Sequence, residues 1–464
     1  GPVWTFTIAD GLTVIPNVLY VAPGGDDVTG TGAPANPFAS LQEAADAAAD
    51  GDEIRLASGT YSRTSAPSTV IGAALSISGG WDPLTESQAA DPVLTVLQQS
   101  GATDRTLMFS GVSGNVSLAN LTVEGAVPDT PGTNYAVWHN SGNLVLQSVR
   151  ILGGRVAGQT AAAVYVRDDG RVTIRDSEIE AAWDAEPSFA YGLQMTFNAT
   201  GASAEIENTV FRASTGVGTG FSAVRVDAAV DQVHVTGSTF HTDAGDAAGH
   251  SGHGIESGTQ TTVQDSEFVE SGAGSAESAI RIFGGSDHLI EMNNVVLGPR
   301  SFSSEILEAR DVTGTLTIRD NTLQRVGDIG QSLNHGILLS NLSAVTDLEI
   351  ARNFVRLDGA AATAGGTAYG IFVEATPAAI LLDSNGVVVD GGSQGSLYGI
   401  RVDGSPDVRV LSNSVYLDPR GTNAGVRGIY VNSADADGDM VTDGWGQIRN
   451  NVVAAADSVD ADNA

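Results

Sequence analysis

Hydrophobic and polar positions recur along the chain as one short strand motif. The motif is an aromatic or His residue, a small residue and then an alternating apolar-polar-apolar stretch, as in Tyr398-Gly-Ile-Arg-Val. Full copies begin at Tyr135, Tyr191, His253, His335, Tyr369 and Tyr398, and weaker copies begin at the small residue, at Ala163, Ala223, Ala279 and Gly428. Successive copies lie about 25 to 34 residues apart, which predicts a solenoid whose repeats stack on one another.

Alternation within the motif separates an inward column of residues from an outward one. If Ile400 faces inward, the matching aliphatic residues form a core column, which reads Val137, Val164, Leu193, Val224, Ile255, Ile280, Leu307, Ile337, Ile371, Ile400 and Ile429. The next residue of each copy then faces outward, in a column that reads Trp138, Tyr165, Gln194, Arg225, Glu256, Arg281, Glu308, Leu338, Phe372, Arg401 and Tyr430. The same alternation predicts that the glycines before the aliphatic residue, such as Gly192 and Gly399, also face outward.

The middle of the outward column is charged. Arg225, Glu256, Arg281 and Glu308 alternate in sign, which predicts a ladder of ion pairs between neighbouring strands. Each such pair stabilises a sheet by a few tenths of a kcal/mol. The interpretation favoured here is therefore structural.

Aromatic residues occupy both ends of the same column. Trp138 lies beside Tyr165, and Phe372 lies close to Tyr430. Single exposed aromatic residues are ordinary on protein surfaces. The alternative is that these four residues are ligand-binding platforms on which a sugar chain stacks, and they are the candidate ligand-binding residues of the chain.

A second recurring unit follows most copies of the strand motif, with polar residues at matching places. These residues are Asn120, Ser148, Asp176, Asn208, Asp265, Asn294, Asp320, Ser384, Ser412 and Asn450. Asn and Asp tolerate left-handed backbone dihedrals and bond to nearby backbone groups. We therefore predict a stacked column of turns with a structural role.

The N-terminal segment differs from the repeats. Ser40 and Glu43 form a capping box, and apolar residues follow at helical spacing until Gly51, which predicts a short helix that stops there. A strand is predicted from Glu53. A helix laid across the first repeat would shield its open edge from water and from edge pairing.

This N-terminal segment resembles that of bacterial secreted or surface-displayed proteins of the pectin-lyase-like superfamily. The resemblance rests on Tyr20-Val with Gly24-Gly-Asp, the alanine-rich helix, Gly51-Asp-Glu-Ile, Ser58-Gly-Thr-Tyr and Gly79-Gly-Trp-Asp-Pro. It implies an all-β fold, a right-handed parallel β-helix of about a dozen rungs with a short N-terminal capping helix. The superfamily contains lyases, glycosidases and adhesins, so the resemblance is specific for fold and weak for function.

The chain divides into three parts by sequence. Residues 1–2 are interpreted as the remnant of a protease site, residues 3–100 as the N-terminal cap and first rungs, and residues 101–464 as the repeat region, which we expect to continue beyond the given sequence.

A formal charge of -33, with every one of the 22 basic residues an Arg, makes nucleic acid and anionic membrane poor partners. Cysteine is absent, and no apolar run approaches the roughly 20 residues that span a bilayer. We expect a secreted or cell-surface location.

An aspartate-rich segment near the C-terminal end is the strongest metal signal. Asp435, Asp437, Asp439 and Asp443 have the spacing of calcium-binding loops, and clustered oxygen ligands suit Ca²⁺. Met440 stands where such loops usually have glycine. The alternative is a solvated acidic loop, and if calcium binds we expect its role to be structural and not catalytic.

Catalysis is the competing hypothesis for the outward column. If the chain is a polysaccharide lyase or a glycoside hydrolase, Arg225, Glu256 and Arg281 are its candidate catalytic residues, with an Arg as the base. Asp168-Asp169 and His253 echo the order of polygalacturonase motifs, but they are predicted to lie three rungs apart, too far for paired carboxyl chemistry.

No group of at least three acids converges on the strand face in the predicted register. The sequence therefore favours binding, adhesion or presentation, with carbohydrate or another surface as the ligand. A third reading is a rigid spacer within a larger surface protein.

Overall fold

The structure is a computed structural model. It describes residues 16–64, 67–101, 104–128, 133–153, 160–181, 189–196, 201–214, 220–243, 251–270, 278–298, 304–327, 333–342, 344–359, 366–374, 379–391, 395–404, 407–419, 425–432 and 445–456. Within these residues the chain winds through three long sheets, here called sheets I, II and III, with strands numbered in chain order.

The sheets contain 16, 15 and 13 strands, respectively. Sheet I contains β1 (Val18–Val21), β2 (Glu53–Ala57), β5 (Ser76–Asp82), β9 (Asn115–Ala119), β13 (Asn143–Gln147), β16 (Arg171–Arg175), β19 (Ser203–Glu207), β22 (Gln232–Thr236), β25 (Gln260–Gln264), β28 (Ser286–Glu291), β31 (Thr313–Arg319), β34 (Ala344–Ala351), β37 (Ala379–Asp383), β40 (Asp407–Leu411) and β43 (Trp445–Arg449), with β6 (Ser87–Gln88) beside β5. Sheet II contains β11 (Val127–Pro128), β7 (Thr95–Gly101), β10 (Thr122–Glu124), β14 (Arg150–Leu152), β17 (Glu178–Glu180), β20 (Val210–Ser214), β23 (Thr239–Asp243), β26 (Glu267–Glu270), β29 (Asn294–Leu297), β32 (Thr322–Arg325), β35 (Phe354–Asp358), β38 (Gly386–Gly391), β41 (Ser414–Pro419) and β44 (Val452–Ala455), with β3 (Gly59–Thr64) beside β7. Sheet III contains β4 (Thr69–Ile71), β8 (Arg105–Phe109), β12 (Asn134–His139), β15 (Thr160–Val166), β18 (Phe189–Met195), β21 (Gly220–Val226), β24 (Ser251–Ser257), β27 (Ser278–Phe283), β30 (Ser304–Arg310), β33 (Leu333–Ser340), β36 (Gly366–Glu374), β39 (Gly395–Asp403) and β42 (Gly425–Asn432).

Neighbouring strands within each sheet belong to successive turns of the chain, and they run parallel apart from the short antiparallel pair of β5 with β6. Val137 pairs with Val164, and Val164 pairs with Leu193, as the repeat predicted. The predicted parallel β-helix is therefore confirmed, although its number of turns differs slightly from a dozen.

Aliphatic side chains fill the interior. The predicted core column is buried from Val137 to Ile400, and Ile429 in the last turn is half-buried. A ladder of Phe211, Phe240 and Phe268 stacks beside it, with ring centroids 5.2 and 4.6 Å apart.

The predicted capping helix is present as α1 (Leu41–Ala47), and a single 3₁₀ turn covers Pro92–Leu94. Ser40 Oγ accepts a hydrogen bond from the Glu43 amide at 3.3 Å, and Leu41 and Ala44 are buried against the first turns. The helix ends earlier than predicted, because Ala48 is already extended. Neither helix in the described part of the chain is long and apolar enough to cross a membrane.

The prediction that the glycine column faces outward is wrong. The residues that share its position, among them Ala163 and Ala223, are fully buried in the main core. A Cβ added at Gly336 would lie 2.2 Å from Val355 Cγ1 of sheet II. The column therefore faces inward, and sheet II packs so closely against it that most positions hold only glycine or alanine.

The predicted turn column is confirmed at every position but one. Its backbone φ is positive, between 47° and 58°, at Asn120, Ser148, Asp176, Asn208, Asp265, Asp320, Ser384, Ser412 and Asn450. Asn294 lies in β29 instead, and Met292 holds the left-handed position of that turn with φ 57°. The positive φ values explain the preference for Asn and Asp in this column.

A ladder of side-chain amides, buried at all but its last residue, follows directly after these turns, and the strand motif does not predict it. It consists of Asn293, Asn321, Asn353, Asn385, Asn413 and Asn451. Asn321 Nδ2, for example, donates to Asn353 Oδ1 at 2.9 Å and to the Ile290 carbonyl at 2.9 Å. Since buried amides are costly without partners, this ladder fixes the register of successive turns.

Candidate ligand-binding face

The outer face of sheet III carries two adjacent columns of side chains. In each strand two consecutive residues, such as Gly192 and Leu193, are buried towards the core, so the residues on either side of them both lie on the outside. The first outward column reads Tyr135, Ala162, Tyr191, Ser222, His253, Ser278, Glu305, His335, Tyr369, Tyr398 and Arg427. The second is the outward column predicted from the sequence, and it begins two turns before Trp138, at Val70, which is followed by Met108.

The register of the second column is as predicted. Arg225 pairs with Glu256, Glu256 with Arg281 and Arg281 with Glu308. Strict alternation does not predict the first outward column, because it places the Tyr or His of the motif in the core.

The N-terminal aromatic cluster consists of Tyr135, Trp138, Tyr165 and Tyr191. The ring centroids of Trp138 and Tyr165 are 4.5 Å apart with planes at 42°, and Tyr135 meets Trp138 edge-on at 83° and 4.9 Å. The Arg105 guanidinium lies 4.2 Å from the Trp138 ring centroid. Trp138 and Tyr165 are half-buried, so the two predicted platform residues of this end do lie together at the surface.

The C-terminal aromatic stack consists of His335, Tyr369, Phe372, Tyr398 and Tyr430. Its rings are mostly parallel: Tyr369 lies 4.8 Å from Phe372 at 18° and 4.9 Å from Tyr398 at 17°. Phe372 and Tyr430 are not direct neighbours, because one intervening turn places a different residue between them.

That residue is Arg401, whose guanidinium lies 5.1 Å from the Phe372 ring centroid and 5.6 Å from that of Tyr430. Arg427 lies 5.0 Å from the Tyr430 centroid and donates to the Tyr398 hydroxyl at 2.6 Å. Cation–π contacts of this kind each contribute about 0.5–1 kcal/mol at exposed sites. The stack is thus interleaved with arginines.

The central charged ladder lies between these two aromatic groups. Glu256 is 3.5 Å from Arg225 and 3.6 Å from Arg281, and Arg281 Nε is 3.2 Å from Glu308. Arg310 also pairs with Glu308. The predicted ion-pair ladder is therefore present.

The acids of the ladder are buried and its arginines are half-buried. The side chains of Arg225, Arg281 and Arg310 are 35%, 27% and 42% exposed, whereas those of Glu256 and Glu308 are 10% and 1% exposed. The arginine side chains are therefore the more accessible charged side chains of the ladder.

Burial changes the pKa of two acids in this stretch, Glu308 and Asp227. It raises the pKa of Glu308, and the nearby Glu305 carboxylate raises it further, while Arg310 and Arg281 act in the opposite direction. Burial also raises the pKa of Asp227, which lies 3.8 Å from Arg225.

Two histidines of the first outward column contact polar residues in and beside the charged ladder. His253 Nδ1 is 2.8 Å from Ser278 Oγ, and its Nε2 is 3.5 Å from Arg281. His335 Nδ1 is 3.5 Å from Glu305. The sequence signal for these residues was their place in the recurring motif.

The remaining sequence candidates are not brought to this site. Asp435, Asp437, Asp439 and Asp443 lie outside the described residues. Among the residues that the structure does describe, no group of three or more His, Asp or Glu could hold a metal ion. Asp168 follows β15, three strands from the strand that carries His253, so the polygalacturonase-like motifs are not adjacent.

No protein-family model matches the chain, and no curated protein matches its sequence. Similar solved structures include a PL6 family polysaccharide lyase from Pseudopedobacter saltans, with 10% identity over 89% of this chain and 90% of that chain and a TM-score of 0.33. The surface adhesin PfbA of Streptococcus pneumoniae has 12% identity over 86% and 88% of the two chains, with a TM-score of 0.31. The pectin methylesterase from Aspergillus niger has 12% identity over 69% and 84%, with a TM-score of 0.29. Such similarities carry no argument about function, and the architecture rests on the strand pairing itself.

Proposed function

We propose that this chain is a secreted or surface-displayed β-helix that binds carbohydrate, in adhesion or presentation, through the outer face of sheet III and without catalysis. The observation that carries the proposal is that both aromatic groups and the partly accessible arginines of the central ladder lie on this one face. Aromatic rings offer apolar contact area to a sugar, and guanidinium groups donate several hydrogen bonds each.

Rigidity also supports binding. The side chains of the face stand on paired strands, and the asparagine ladder and the packed core hold the turns in register. A preformed surface loses little conformational entropy when a ligand binds.

A polysaccharide lyase or glycosidase remains the second candidate function. The raised pKa of Glu308 favours it, since a carboxyl whose pKa is raised by burial is a feature of acid catalysts. Against it, the Glu308 side chain is 1% exposed. Glu256 is in turn occupied by Arg225, Arg281 and the Ser222 hydroxyl, which donates at 3.2 Å.

A glycan array probed with and without EDTA tests the proposal, together with an assay for unsaturated uronate products. We expect glycan binding without product. Trp138→Ala should weaken this binding, and the matched control is Tyr416→Ala, because Tyr416 is an exposed aromatic residue on sheet II. Product that forms with the wild type and disappears with Glu256→Ala would replace the binding proposal with the enzymatic one.

We also propose that Asp435, Asp437, Asp439 and Asp443 bind a calcium ion with a structural role. The proposal rests on the spacing of the four carboxylates in the sequence. Calcium should raise the melting temperature, and Asp437→Ala should abolish that increase. Equal melting temperatures of the wild type with calcium and with EDTA would refute it.

A further inference from the structure

We infer that the N-terminal cap contains a binding site for a small organic carboxylate with an apolar body, separate from the outer face of sheet III. The site is a cavity of about 200 Å³ where helix α1 meets strands β3, β4, β7 and β8. Its lining combines apolar side chains, uncharged polar side chains and one arginine. The inference does not depend on the proposed function.

The first argument is the charge of the cavity. Arg63 of β3 is the only charged residue among the described residues that line it. The chain has 55 acidic residues against 22 basic ones, so a cavity wall without a single Asp or Glu is unusual for this protein. A cleft whose walls carry one sign of charge attracts ligands of the opposite sign. The cavity is therefore suited to an anion.

The second argument is the unused side of the Arg63 guanidinium group. Its Nη1 donates to Thr69 Oγ1 at 3.0 Å and lies 3.5 Å from Gln42 Oε1. Within the part of the chain that the structure describes, Nε and Nη2 of Arg63 form no hydrogen bond and no ion pair. In Arg55 of β2 the same two nitrogens bind the two carboxylate oxygens of Glu53, at 2.8 and 3.0 Å. Arg63 thus presents the paired donors that a carboxylate accepts, and a ligand can supply the carboxylate.

The third argument is a second donor in the same cavity. The side chain of Thr69 is buried, and its oxygen accepts the hydrogen bond from Arg63. Among the described residues, the Thr69 hydroxyl donates to none. Because a buried hydroxyl without an acceptor costs free energy, a ligand that accepts this proton is favoured.

The apolar part of the lining defines the rest of the ligand. Leu41 of α1, Leu97 of β7 and Leu107 of β8 line the cavity and are buried. An apolar cavity of about 150 Å³ accepts benzene, so a slightly larger one has room for an aromatic ring with a carboxylate attached. Burial of such a ring against the leucines stabilises the complex, and an inorganic anion lacks this contribution. We therefore expect an organic carboxylate to bind more tightly than phosphate or sulfate.

Calorimetric titration of the full chain with five small probes tests this inference. The probes are benzoate, its neutral analogue benzamide, acetate, inorganic phosphate and sulfate. Benzoate should bind about tenfold more tightly than benzamide, because only benzoate accepts charge-assisted hydrogen bonds at both oxygens. It should also bind about tenfold more tightly than acetate, which lacks the ring. Phosphate and sulfate should bind more weakly than benzoate.

Variants of Arg63 localise the binding. Arg63→Gln should weaken benzoate binding about tenfold. Arg63→Lys should weaken it less, because an ammonium group keeps the charge and lacks the paired donors. The matched control is Arg409→Gln, which should leave the affinity unchanged, since Arg409 is an exposed arginine on β40 of sheet I and does not line the cavity. If Arg63→Gln lowers the melting temperature, Arg63→Lys decides the test.

Four results would overturn the inference. They are equal affinities for benzoate and benzamide, tighter binding of phosphate than of benzoate, unchanged benzoate affinity in a folded Arg63 variant, and no heat of binding with benzoate at millimolar concentrations. None of them affects glycan binding on the outer face of sheet III, which Arg63→Gln should leave unchanged. The failure of one proposal is therefore distinguishable from the failure of the other.

Discussion

The two aromatic groups on sheet III have similar compositions and different geometries. In the C-terminal stack, the planes of Tyr369, Phe372 and Tyr398 are within 18° of parallel for each contacting pair. In the N-terminal cluster, Trp138 and Tyr165 are tilted at 42°. Rings in a parallel stack direct their faces at one another and their edges at solvent, whereas tilted rings leave part of a face open.

This contrast indicates that the two aromatic groups on the outer face of sheet III have different roles. Arginines add to the difference, because Arg401 and Arg427 are interleaved with the C-terminal stack while Arg105 lies over Trp138 at the edge of the N-terminal cluster. We therefore expect the C-terminal stack to contribute mainly to stability and the N-terminal cluster mainly to ligand contact.

The largest expected effect is on stability. Tyr369→Ala should lower the free energy of unfolding by about 3 kcal/mol, because Tyr369 is buried between stacked rings. Trp138→Ala should cost about 1 kcal/mol, since this side chain is half-buried. Urea denaturation of both variants measures the difference, and equal losses would contradict the assignment of the two groups.

Loss of ligand affinity should be larger for a substitution in the N-terminal cluster than for one in the C-terminal stack, which is the opposite of the order for stability. With a glycan selected on the array, Trp138→Ala should weaken binding about 30-fold, as expected when a large aromatic contact is truncated. Phe372→Ala should weaken it about threefold, because its ring faces are already in contact with Tyr369 and Arg401. The dissociation constants are measured by calorimetry, and a larger effect of Phe372→Ala would reverse the comparison.

The ladder that separates the two groups should respond to pH through Glu308. Its pKa is raised in the folded state, so the folded protein holds this proton more tightly than the unfolded chain does. The contribution of Glu308 to stability is then fully present below the unfolded pKa and decreases as pH rises through the folded value.

Relative to Glu308→Gln, the wild type should therefore lose stability as pH increases from 4 towards neutrality. Urea midpoints at a series of pH values measure this difference. A wild type that gains stability over the variant in the same range would show that Arg281 and Arg310 outweigh burial.

The smallest expected effect is that of the interleaved cations. Arg401→Gln should lower the free energy of unfolding by about 1 kcal/mol, because its guanidinium lies over several rings and pairs with Asp403. Arg105→Gln should cost about half of that, because its stabilising ring contact is the one with Trp138. Thermal melts of the two variants measure the difference, and a larger decrease for Arg105→Gln would contradict the comparison.

The sequence predicted the features that depend on repetition alone. The core column from Val137 to Ile400 and the outward pairing of Arg281 with Glu308 follow from a constant motif and strand alternation. The capping box at Ser40 is a local signal and was equally readable.

The sequence did not reveal the departure from alternation. Two consecutive inward residues in each sheet III strand place the first outward column on the outer side of the sheet, where its side chains pack on one another and are mostly buried, and a period of two gives no sign of this. The close approach of Val355 to Gly336 depends on how sheets II and III pack, which no single strand encodes. The asparagine ladder was missed because Asn321 and its equivalents directly follow the turn column, where a polar residue is already explained by the turn.

Hydroxyl-radical footprinting with mass spectrometry, with and without the selected glycan, tests the central claim most directly. If the outer face of sheet III is the binding surface, the ligand should lower the oxidation of Trp138, Tyr165 and Tyr430, which are all partly accessible. Oxidation of the sheet II residue Tyr416 should stay unchanged. Protection of Tyr416 with no protection at either aromatic group would contradict the account.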